Sequence, residues 1–346
     1  MKNKLTTQDF DYPLDENKIA QHPPEKRDAA KMLVMDRNSG QIQHTVFTSF
    51  PSFLTEKDVV VINDTRVMPA RLYGHRQGKE EKIELLLLKR LPDDTWECIG
   101  RPGKKIRVGS HLFFGDRLQA EIIAVTHDGN RIVRFFYEGI WEEVLDALGE
   151  MPLPPYIHEK LRDRNRYQTV YAKHDGSAAA PTAGLHFTEE TFLHLKEKGI
   201  PVAPLTLHVG LGTFRPVQTE EIESHHMHAE WYTLPEQTVQ AIQAAKKRGG
   251  RVVTIGTTSL RVLETVGARL LTNTPQTYSG WSELFVRPGF RFGVTDALLT
   301  NFHLPKSTLL MLVSAFSSRE AILQAYAEAD RNGYRFFSFG DCMLLI

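Results

Sequence analysis

Short apolar stretches separated by turn residues dominate residues 82–137. They cover residues 83–88, 96–99, 111–114, 118–125 and 132–137, with glycine, proline and aspartate between them. Asp128-Gly129 stands between two stretches in which apolar and polar residues alternate, and this is a strong hairpin signal. The pattern predicts a small all-β module, folded as a barrel.

Helical and strand patterns alternate in the rest of the chain. A buried strand is predicted over residues 57–63, running directly into the polar Asp64-Thr65-Arg66. Residues 235–248 predict a helix, with Thr233 and Glu236 at capping-box spacing and Gly249-Gly250 after its end. A strand over residues 251–256 then leads to a helix that starts near Thr257.

The last part of the chain predicts two more helices. One covers residues 308–316, and the other starts at Ser317 and ends before Gly333. Alternation of this kind is typical of a mixed α/β fold. We therefore expect an α/β main domain built from both chain ends, residues 1–72 and 150–346, with the β module inserted as residues 73–149.

Composition narrows the classes of protein and partner. The 346 residues include 42 basic and 42 acidic side chains, so any nucleic-acid binding must come from local patches rather than from a cationic tail. Cys98 and Cys342 lie far apart without metal-ligand spacing, which favours a reducing compartment. No apolar stretch reaches transmembrane length, so we expect a soluble cytoplasmic protein that does not bind membranes.

Residues 176–188 form a loop of unusually small side chains. Pro181 disfavours a helix before it, and Gly176 and Gly184 permit dihedral angles closed to other residues. Of its polar side chains, which are Ser177, Thr182, His186 and Thr188, only His186 titrates near neutral pH. The loop is expected to touch a ligand, and the alternative is a tightly packed connection with a hydrogen-bonded histidine.

Four other segments set glycine, threonine, histidine and arginine among apolar residues, namely 63–72, 208–216, 256–261 and 299–308. We expect them to form one dispersed site with the loop. Gly210-Leu-Gly212 is not a dinucleotide-binding fingerprint, because Arg215 replaces the third glycine and Pro216 follows it. The segment is better interpreted as a strand-end loop that brings His208, Thr213 and Arg215 to the site, with simple loop packing as the alternative.

The strand-to-helix junction at residues 256–259 offers backbone N–H groups and hydroxyls to an anion or a carboxylate. Thr257, Thr258, Ser259 and Arg261 are therefore binding candidates, although helix capping and a solvated arginine would explain them too. Further along, Asn301, His303, Lys306 and Ser307 precede an apolar helix, and their burial there would require polar partners.

Histidines are concentrated at His225, His226 and His228, close to Glu230. Neighbouring histidines diverge on regular elements, and no HExxH or CxxC motif accompanies them, so we do not expect a metal site. His228 and Glu230 lie two residues apart and would share one face of an extended segment. The alternative interpretation of this pair is a surface hydrogen bond.

Two basic clusters stand out in this neutral chain. One lies in the β module and comprises Arg101, Lys104, Lys105 and Arg107; the other surrounds a helix end and comprises Lys246, Lys247, Arg248 and Arg251. Cations at a helix C-terminus are favoured by the helix dipole, so the second cluster has a structural explanation. We favour the first as the contact with RNA phosphates.

Three further segments carry a resemblance to a known family. They are Gly-Glu-Met-Pro-Leu-Pro-Pro-Tyr at 149–156, Arg-Tyr-Gln-Thr-Val-Tyr at 166–171 and Tyr-Arg-Phe-Phe-Ser-Phe-Gly-Asp at 334–341. With the loop segments, they resemble the S-adenosylmethionine:tRNA ribosyltransferase-isomerases of queuosine synthesis, from about Asp9 to Ile346. Departures from the family pattern occur at Ser282-Glu283, at Val286-Arg287 and at Cys342.

The resemblance implies a barrel-like main domain and a specific reaction. The ribosyl part of S-adenosylmethionine would pass to 7-aminomethyl-7-deazaguanine at the wobble position of a tRNA and rearrange there, giving epoxyqueuosine, adenine and methionine. No metal or redox cofactor is required, and no obligate protein partner is expected. The anticodon loop would be splayed and bound as a single strand.

The resemblance also suggests roles for the candidates. His186 or His228 would be the base, and Asp64 or Glu230 would be its partner or the acid, since His228 and Glu230 match a Met-His-x-Glu segment of the family. Arg66, Arg215 and Arg261 would bind anionic groups. The further binding candidates are Thr182, His208, Thr213, Thr257, Thr258, Ser259, Asn301, His303 and Lys306.

Two rival interpretations belong to other classes. One is a non-catalytic RNA-binding module, and the other is an enzyme that acts on a free nucleoside-like molecule. The dependence of turnover on RNA distinguishes all three.

Overall fold

The computed structural model describes residues 5–210, 217 and 219–346. Its strands are β1 (Lys31–Met35), β2 (Ile42–Val46), β3 (Val59–Asn63), β4 (Thr65–Val67), β5 (Arg71–Arg76), β6 (Ile83–Arg90), β7 (Trp96–Arg101), β8 (His111–Phe114), β9 (Leu118–Val125), β10 (Arg131–Tyr137), β11 (His174–Ser177), β12 (Val202–Leu207), β13 (Glu230–Leu234), β14 (Val252–Ile255), β15 (Tyr278–Ser282), β16 (Ala297–Asn301) and β17 (Cys342–Leu345). Its α-helices are α1 (Trp141–Leu148), α2 (Glu189–Glu197), α3 (Glu236–Lys247), α4 (Gly256–Val266), α5 (Arg269–Thr272), α6 (Thr308–Phe316) and α7 (Arg319–Arg331).

The chain divides into two compact units. The main unit comprises Met1–Thr65, Pro155–His174 and Ala180–Ile346, and the barrel unit comprises Arg66–Pro154 and Asp175–Ala179. In the described residues of the main unit, nine strands form one mixed sheet in the order β15-β13-β12-β3-β14-β16-β17-β1-β2. The barrel unit contains a closed barrel in the order β10-β7-β6-β5-β8-β9, and its neighbouring strands are antiparallel.

The centre of the large sheet is apolar on both faces. Strands β3, β14 and β16 are buried throughout, as expected for strands of a parallel sheet covered on both sides. Helix α6 belongs to one core cluster with Phe302, Tyr326 and Phe336, while a second cluster joins Phe47, Phe50 and Phe187 to the sheet. These two clusters pack against the strands of the sheet, so the loops that follow the strands begin at well-packed residues.

The predicted mixed α/β class and the small antiparallel barrel are confirmed. The hairpin at Asp128-Gly129 joins β9 to β10, with Gly129 at a φ of 79°. In the part of the chain that the structure describes, no helix is long and apolar enough to cross a membrane.

The predicted cap of one helix and the predicted start of another are wrong. Thr233 lies inside β13, so it cannot cap α3, whose N-cap is Pro235. Ser317 is not the start of the last helix; α7 begins at Arg319, and the side chain of Ser318 caps it by accepting a hydrogen bond from the Ala321 amide. In the first case the strand continues past Thr233; in the second, α6 ends at Phe316 as predicted and Ser317 is its C-cap.

Gly250 permits a close approach of two chain segments, which gives a stability prediction. A Cβ atom there would lie 1.7 Å from the Lys57 carbonyl oxygen, so Gly250→Ala forces the backbone apart. We expect the substitution to lower the free energy of unfolding by about 2 kcal/mol or more. Urea unfolding followed by circular dichroism measures this change.

The matched control is Gly280→Ala, because a Cβ at Gly280 would meet its nearest atom, Tyr232 Oη, only at 3.8 Å. It should change the free energy of unfolding by less than about 0.5 kcal/mol. Equal stabilities of the two variants would contradict the steric explanation.

Candidate active site

The carboxyl ends of four neighbouring strands meet at one edge of the large sheet. Strand β3 is parallel to β12 and to β14, and β14 is parallel to β16. Their last residues are Leu207, Asn63, Ile255 and Asn301. Ligands of open α/β sheets bind at this kind of edge, because the loops that follow the strands diverge there. Most of the predicted site segments lie on it.

Asn63 is the hydrogen-bonding centre of this edge. Its fully buried amide nitrogen donates to the Leu207 carbonyl at 3.0 Å and to Thr258 Oγ1 at 3.2 Å. Its oxygen accepts from the amides of Leu207 at 3.0 Å and Thr65 at 3.2 Å. One side chain therefore connects the ends of β3 and β12 with the first turn of α4.

Asp64 and Thr65 follow Asn63 in the chain, and each lies beside a histidine at this edge of the sheet. The Thr206 hydroxyl donates to Asp64 Oδ1 at 2.6 Å, and His174 Nε2 lies 3.6 Å from Asp64 Oδ2. Thr65 Oγ1 lies 2.8 Å from His208 Nδ1. The Asp64 carboxylate is buried, but its second oxygen faces a half-exposed imidazole.

His186 is buried beside the end of β16. Its Nε2 lies 3.4 Å from the side-chain nitrogen of Asn301, whose oxygen accepts from the Thr182 hydroxyl at 3.2 Å. The ring packs against Phe47, with 5.5 Å between ring centroids. Burial lowers the pKa of His186 to about 4, so the imidazole is neutral at physiological pH.

Glu230 and Arg261 form a buried ion pair at the start of β13. Arg261 Nη1 donates to Glu230 Oε2, and the Gly210 amide donates to Glu230 Oε1 at 2.9 Å. Arg261 Nε donates to the Leu284 carbonyl at 3.2 Å. Its Nη2 is buried and has no hydrogen-bond partner among the described residues, so one donor group remains for a ligand. The alternative of a solvated Arg261 is wrong, because only 6% of the residue is exposed.

The start of α4 does not use its hydroxyls as caps. The N-cap residue is Ile255, without a side-chain hydrogen bond, and the Ser259 hydroxyl donates back to the Ile255 carbonyl at 2.9 Å. Thr258 accepts from Asn63, and Thr257 is buried. Helix capping by Thr258 or Ser259 is therefore wrong as an explanation of this segment.

Some of the predicted site residues have other contacts, are exposed or cannot be placed. Lys306 is half-exposed and forms an ion pair with Asp11 at 3.0 Å. His303 is buried with its Nε2 2.8 Å from Thr300 Oγ1, and burial lowers its pKa to about 3. Arg66 is exposed on β4. Thr213 and Arg215 lie outside the described residues.

The histidine cluster does not assemble into a metal centre in the described chain, where no group of three or more His, Cys, Asp or Glu side chains could hold a metal ion. His228 is half-buried just before β13, while Glu230 is buried. The two therefore have different surroundings, although they are only two residues apart.

The two basic clusters differ in whether their cations form ion pairs. Lys246 pairs with Asp296 at 2.6 Å and Arg251 with Asp58 at 2.8 Å, and Arg248 donates to the Lys57 carbonyl at 2.9 Å. These contacts stabilise the loop before β14. In contrast, Arg101, Lys104, Lys105 and Arg107 are exposed on the barrel unit and form no salt bridge among the described residues.

Sequence reasoning placed Asn63 within a site segment without giving it a role, and it missed Thr206, His174 and Phe47. Asn63 had a detectable signal, since it is a polar residue at the end of an apolar strand. Thr206, by contrast, appears in the sequence as an ordinary strand residue, and only the pairing of β12 with β3 brings it to Asp64.

Comparison with known proteins gives three consistent matches. The family model of the queuosine biosynthesis proteins matches residues 7–345. An S-adenosylmethionine:tRNA ribosyltransferase-isomerase of Finegoldia magna is 54% identical over 345 residues, which are 99% of this chain and 98% of that protein. The crystal structure of the S-adenosylmethionine tRNA ribosyltransferase of Thermotoga maritima is 37% identical, with a TM-score of 0.57, covering 98% of this chain and all of that one.

The Glu230–Arg261 pair gives a prediction about stability. Glu230→Gln leaves the buried Arg261 charge without its counter-ion, and we expect it to lower the free energy of unfolding by about 3 kcal/mol. Adding Arg261→Met should recover part of that loss. The exposed Glu197→Gln is the control and should be neutral, and additive losses in the double variant would show that the two side chains do not interact.

The buried histidines give a prediction about pH. The folded-state pKa values of about 4 for His186 and about 3 for His303 lie below the ordinary 6.5, so between pH 6.5 and 4 the unfolded chain binds more protons. Stability should therefore fall as the pH falls through this range. Chemical unfolding at several pH values measures the slope.

His303→Gln should reduce that slope by about 1.4 kcal/mol per pH unit, the contribution of one proton. His127→Gln, at a fully exposed position, serves as the control and should leave the slope unchanged. An unaltered slope in His303→Gln would show that His303 is already protonated in the folded protein.

Proposed function

The chain belongs to the queuosine biosynthesis protein family, and on that premise we propose that it transfers the ribosyl part of S-adenosylmethionine to a tRNA. The acceptor is 7-aminomethyl-7-deazaguanine at the wobble position. The ribosyl group is rearranged into an epoxycyclopentanediol, and adenine and methionine leave. The protein is a transferase and isomerase that takes S-adenosylmethionine as a co-substrate and needs no metal.

The observation that carries this proposal is the gathering of polar groups at the carboxyl edge of β12, β3, β14 and β16. Asp64 follows β3, and the buried Arg261 lies in α4 after β14. Glu230, at the start of β13, pairs with Arg261, and the neutral imidazole of His186 lies beside the end of β16. A reaction that removes a proton, protonates a leaving base and holds an anionic group requires these kinds of groups.

Proton removal is assigned to a histidine. The sulfonium of S-adenosylmethionine acidifies the neighbouring ribosyl C5′–H, and a neutral imidazole can accept that proton. His186 is neutral because of its burial, and it lies in the small-residue loop that the sequence predicts to contact a ligand. His228, half-buried before β13, is the alternative base.

The charged groups are assigned to anion binding and to protonation of the leaving base. Arg261 presents its free Nη2 to a carboxylate or phosphate, held in place by Glu230. Asp64, or Glu230 when the ion pair opens, is the partner of the base or the acid that protonates adenine. Arg66 and Arg215 bind further anionic groups of the substrates, and the polar groups of Thr182, His208, Thr257 and Asn301 orient them.

The test of the proposal is turnover with defined substrates. The purified protein is incubated with S-adenosylmethionine and tRNA that carries 7-aminomethyl-7-deazaguanine, and adenine, methionine and the nucleoside mass are followed. We expect release of both small molecules and a matching mass gain on the tRNA. The same tRNA with guanine at the wobble position is the control and should gain no mass.

Two outcomes would contradict the proposal. Adenine release without a change in the tRNA would favour an enzyme that acts on a free nucleoside-like molecule. Binding of tRNA with no release of adenine would favour a non-catalytic RNA-binding protein.

The assignment of the base gives a separate prediction. His186→Gln should reduce product formation by about 100-fold or more, because the proton acceptor is lost, while the affinity for tRNA stays the same. Exchange of the C5′ hydrogens of S-adenosylmethionine with deuterated water measures the proton-removal step directly. His228→Gln is the matched variant, and the histidine whose loss leaves the exchange intact is not the base.

A further inference from the structure

A pocket of about 490 Å³ opens on the outside of the barrel unit, apart from the residues assigned above. It is lined by Tyr73, Gly74, His75, Lys79, Glu80 and Lys82. Its volume lies in the range of small-molecule sites, roughly 300–1,000 Å³. The pocket is wide open to solvent, so it suits one unit of a polymer that arrives from outside better than an enclosed small molecule.

Two rings form one wall of this pocket. Tyr73 and His75 are two residues apart on β5 and therefore point to the same, outer face of the barrel. Gly74 between them faces inwards, where a Cβ would lie 2.2 Å from the Phe113 carbonyl oxygen and 2.6 Å from the Phe114 ring. His75 is exposed and stacks on Phe113, with 5.9 Å between centroids. The barrel thus holds an aromatic surface at a fixed position.

Cations surround this surface. Lys82 Nζ lies 3.5 Å from the centroid of the Tyr73 ring, and Lys79 is exposed beside it. The nearby acids are largely neutralised, since Glu81 pairs with Arg76 and Glu84 with Arg71. The residues that line the pocket include two lysines, Lys79 and Lys82, and one acid, Glu80, so the pocket has an excess of positive charge.

The pocket continues into the exposed basic cluster at residues 101–107. Glu84 lies opposite Tyr73 on one side and opposite Arg101 on the other, so the three residues form one row across β5, β6 and β7. The pKa of Glu81 lies below its ordinary value, chiefly because Arg76 donates to it, with smaller contributions from the charges of Lys105 and Lys79. The ammonium groups of Lys105 and Lys79 are therefore both close to the Glu81 carboxylate.

We propose that this end of the barrel binds a single-stranded nucleotide of the tRNA, with its base against His75 and Tyr73 and its flanking phosphates on Lys79, Lys82 and Lys105. Aromatic surfaces beside a track of cations are how proteins bind single-stranded nucleic acid with little sequence preference. The inference rests on the proposed function for the identity of the RNA. It adds a contact with the tRNA on the barrel unit, formed by residues that are not assigned to the reaction.

The experiment is a direct titration of labelled tRNA with the full-length protein over a series of salt concentrations. Lys79→Ala/Lys82→Ala should weaken binding by about tenfold and reduce the slope of log affinity against log salt by about 1 to 2, because phosphate contacts release counterions. His75→Ala should weaken binding by about five- to tenfold with an unchanged slope, because stacking involves no counterion.

Lys196→Ala, an exposed lysine on α2, is the matched control and should behave like the wild type. Thermal unfolding verifies that each variant is folded. At saturating tRNA, the turnover number of the pocket variants should equal that of the wild type, while their KM for tRNA rises.

Each possible result decides a separate point. Wild-type affinity in the double lysine variant would overturn the proposal, and wild-type affinity in His75→Ala would overturn the stacking of a base. If the wild type turns over and the pocket variants bind normally, the proposed function stands without this site. If the pocket variants lose tRNA binding but the wild type releases no adenine, the RNA surface stands and the catalytic function fails.

Discussion

The buried amide of Asn63 is the constraint on which the candidate site depends. Both of its polar atoms are inaccessible to water, so any partner that moved away would leave a buried group unsatisfied, at a cost of about 1–3 kcal/mol. The amide therefore fixes the distance between the ends of β3 and β12 and the first turn of α4. Asp64 follows β3, His208 follows β12 and Arg261 lies one turn further along α4, so three of the candidate residues start from elements that this side chain connects.

Local partners distinguish two equally buried groups at this edge, His186 and Glu230. His186 lies against Phe47 and the amide of Asn301, with no carboxylate as its hydrogen-bond partner among the described residues, so the low dielectric favours its neutral form. Glu230 is equally buried, but it receives a guanidinium and a backbone amide. The local partners, rather than the depth of burial, thus decide which groups carry charge.

The sequence predicted the classes of structure better than the contacts within them. Apolar stretches of strand length were sufficient to predict the barrel and β3, because the side chains of buried strands must be apolar. The roles of Lys306 and Arg261 could not be predicted, since an ion pair with Asp11 or with Glu230 joins residues distant in sequence. The cap predicted at Thr233 failed for a related reason: β13 pairs with β15 as far as Leu234, so α3 begins only after that residue.

The two candidate carboxylates, Glu230 and Asp64, differ in their hydrogen-bond and ion-pair partners. Both oxygens of Glu230 are engaged, by Arg261 and by the Gly210 amide, so protonating it would break a buried ion pair. Asp64 accepts from Thr206 through one oxygen, while its other oxygen faces His174, an imidazole half exposed to solvent. The imidazole beside Asp64 is thus half-exposed, whereas the cation paired with Glu230 is buried. On this difference we propose Asp64 for proton transfer and Glu230 for holding Arg261.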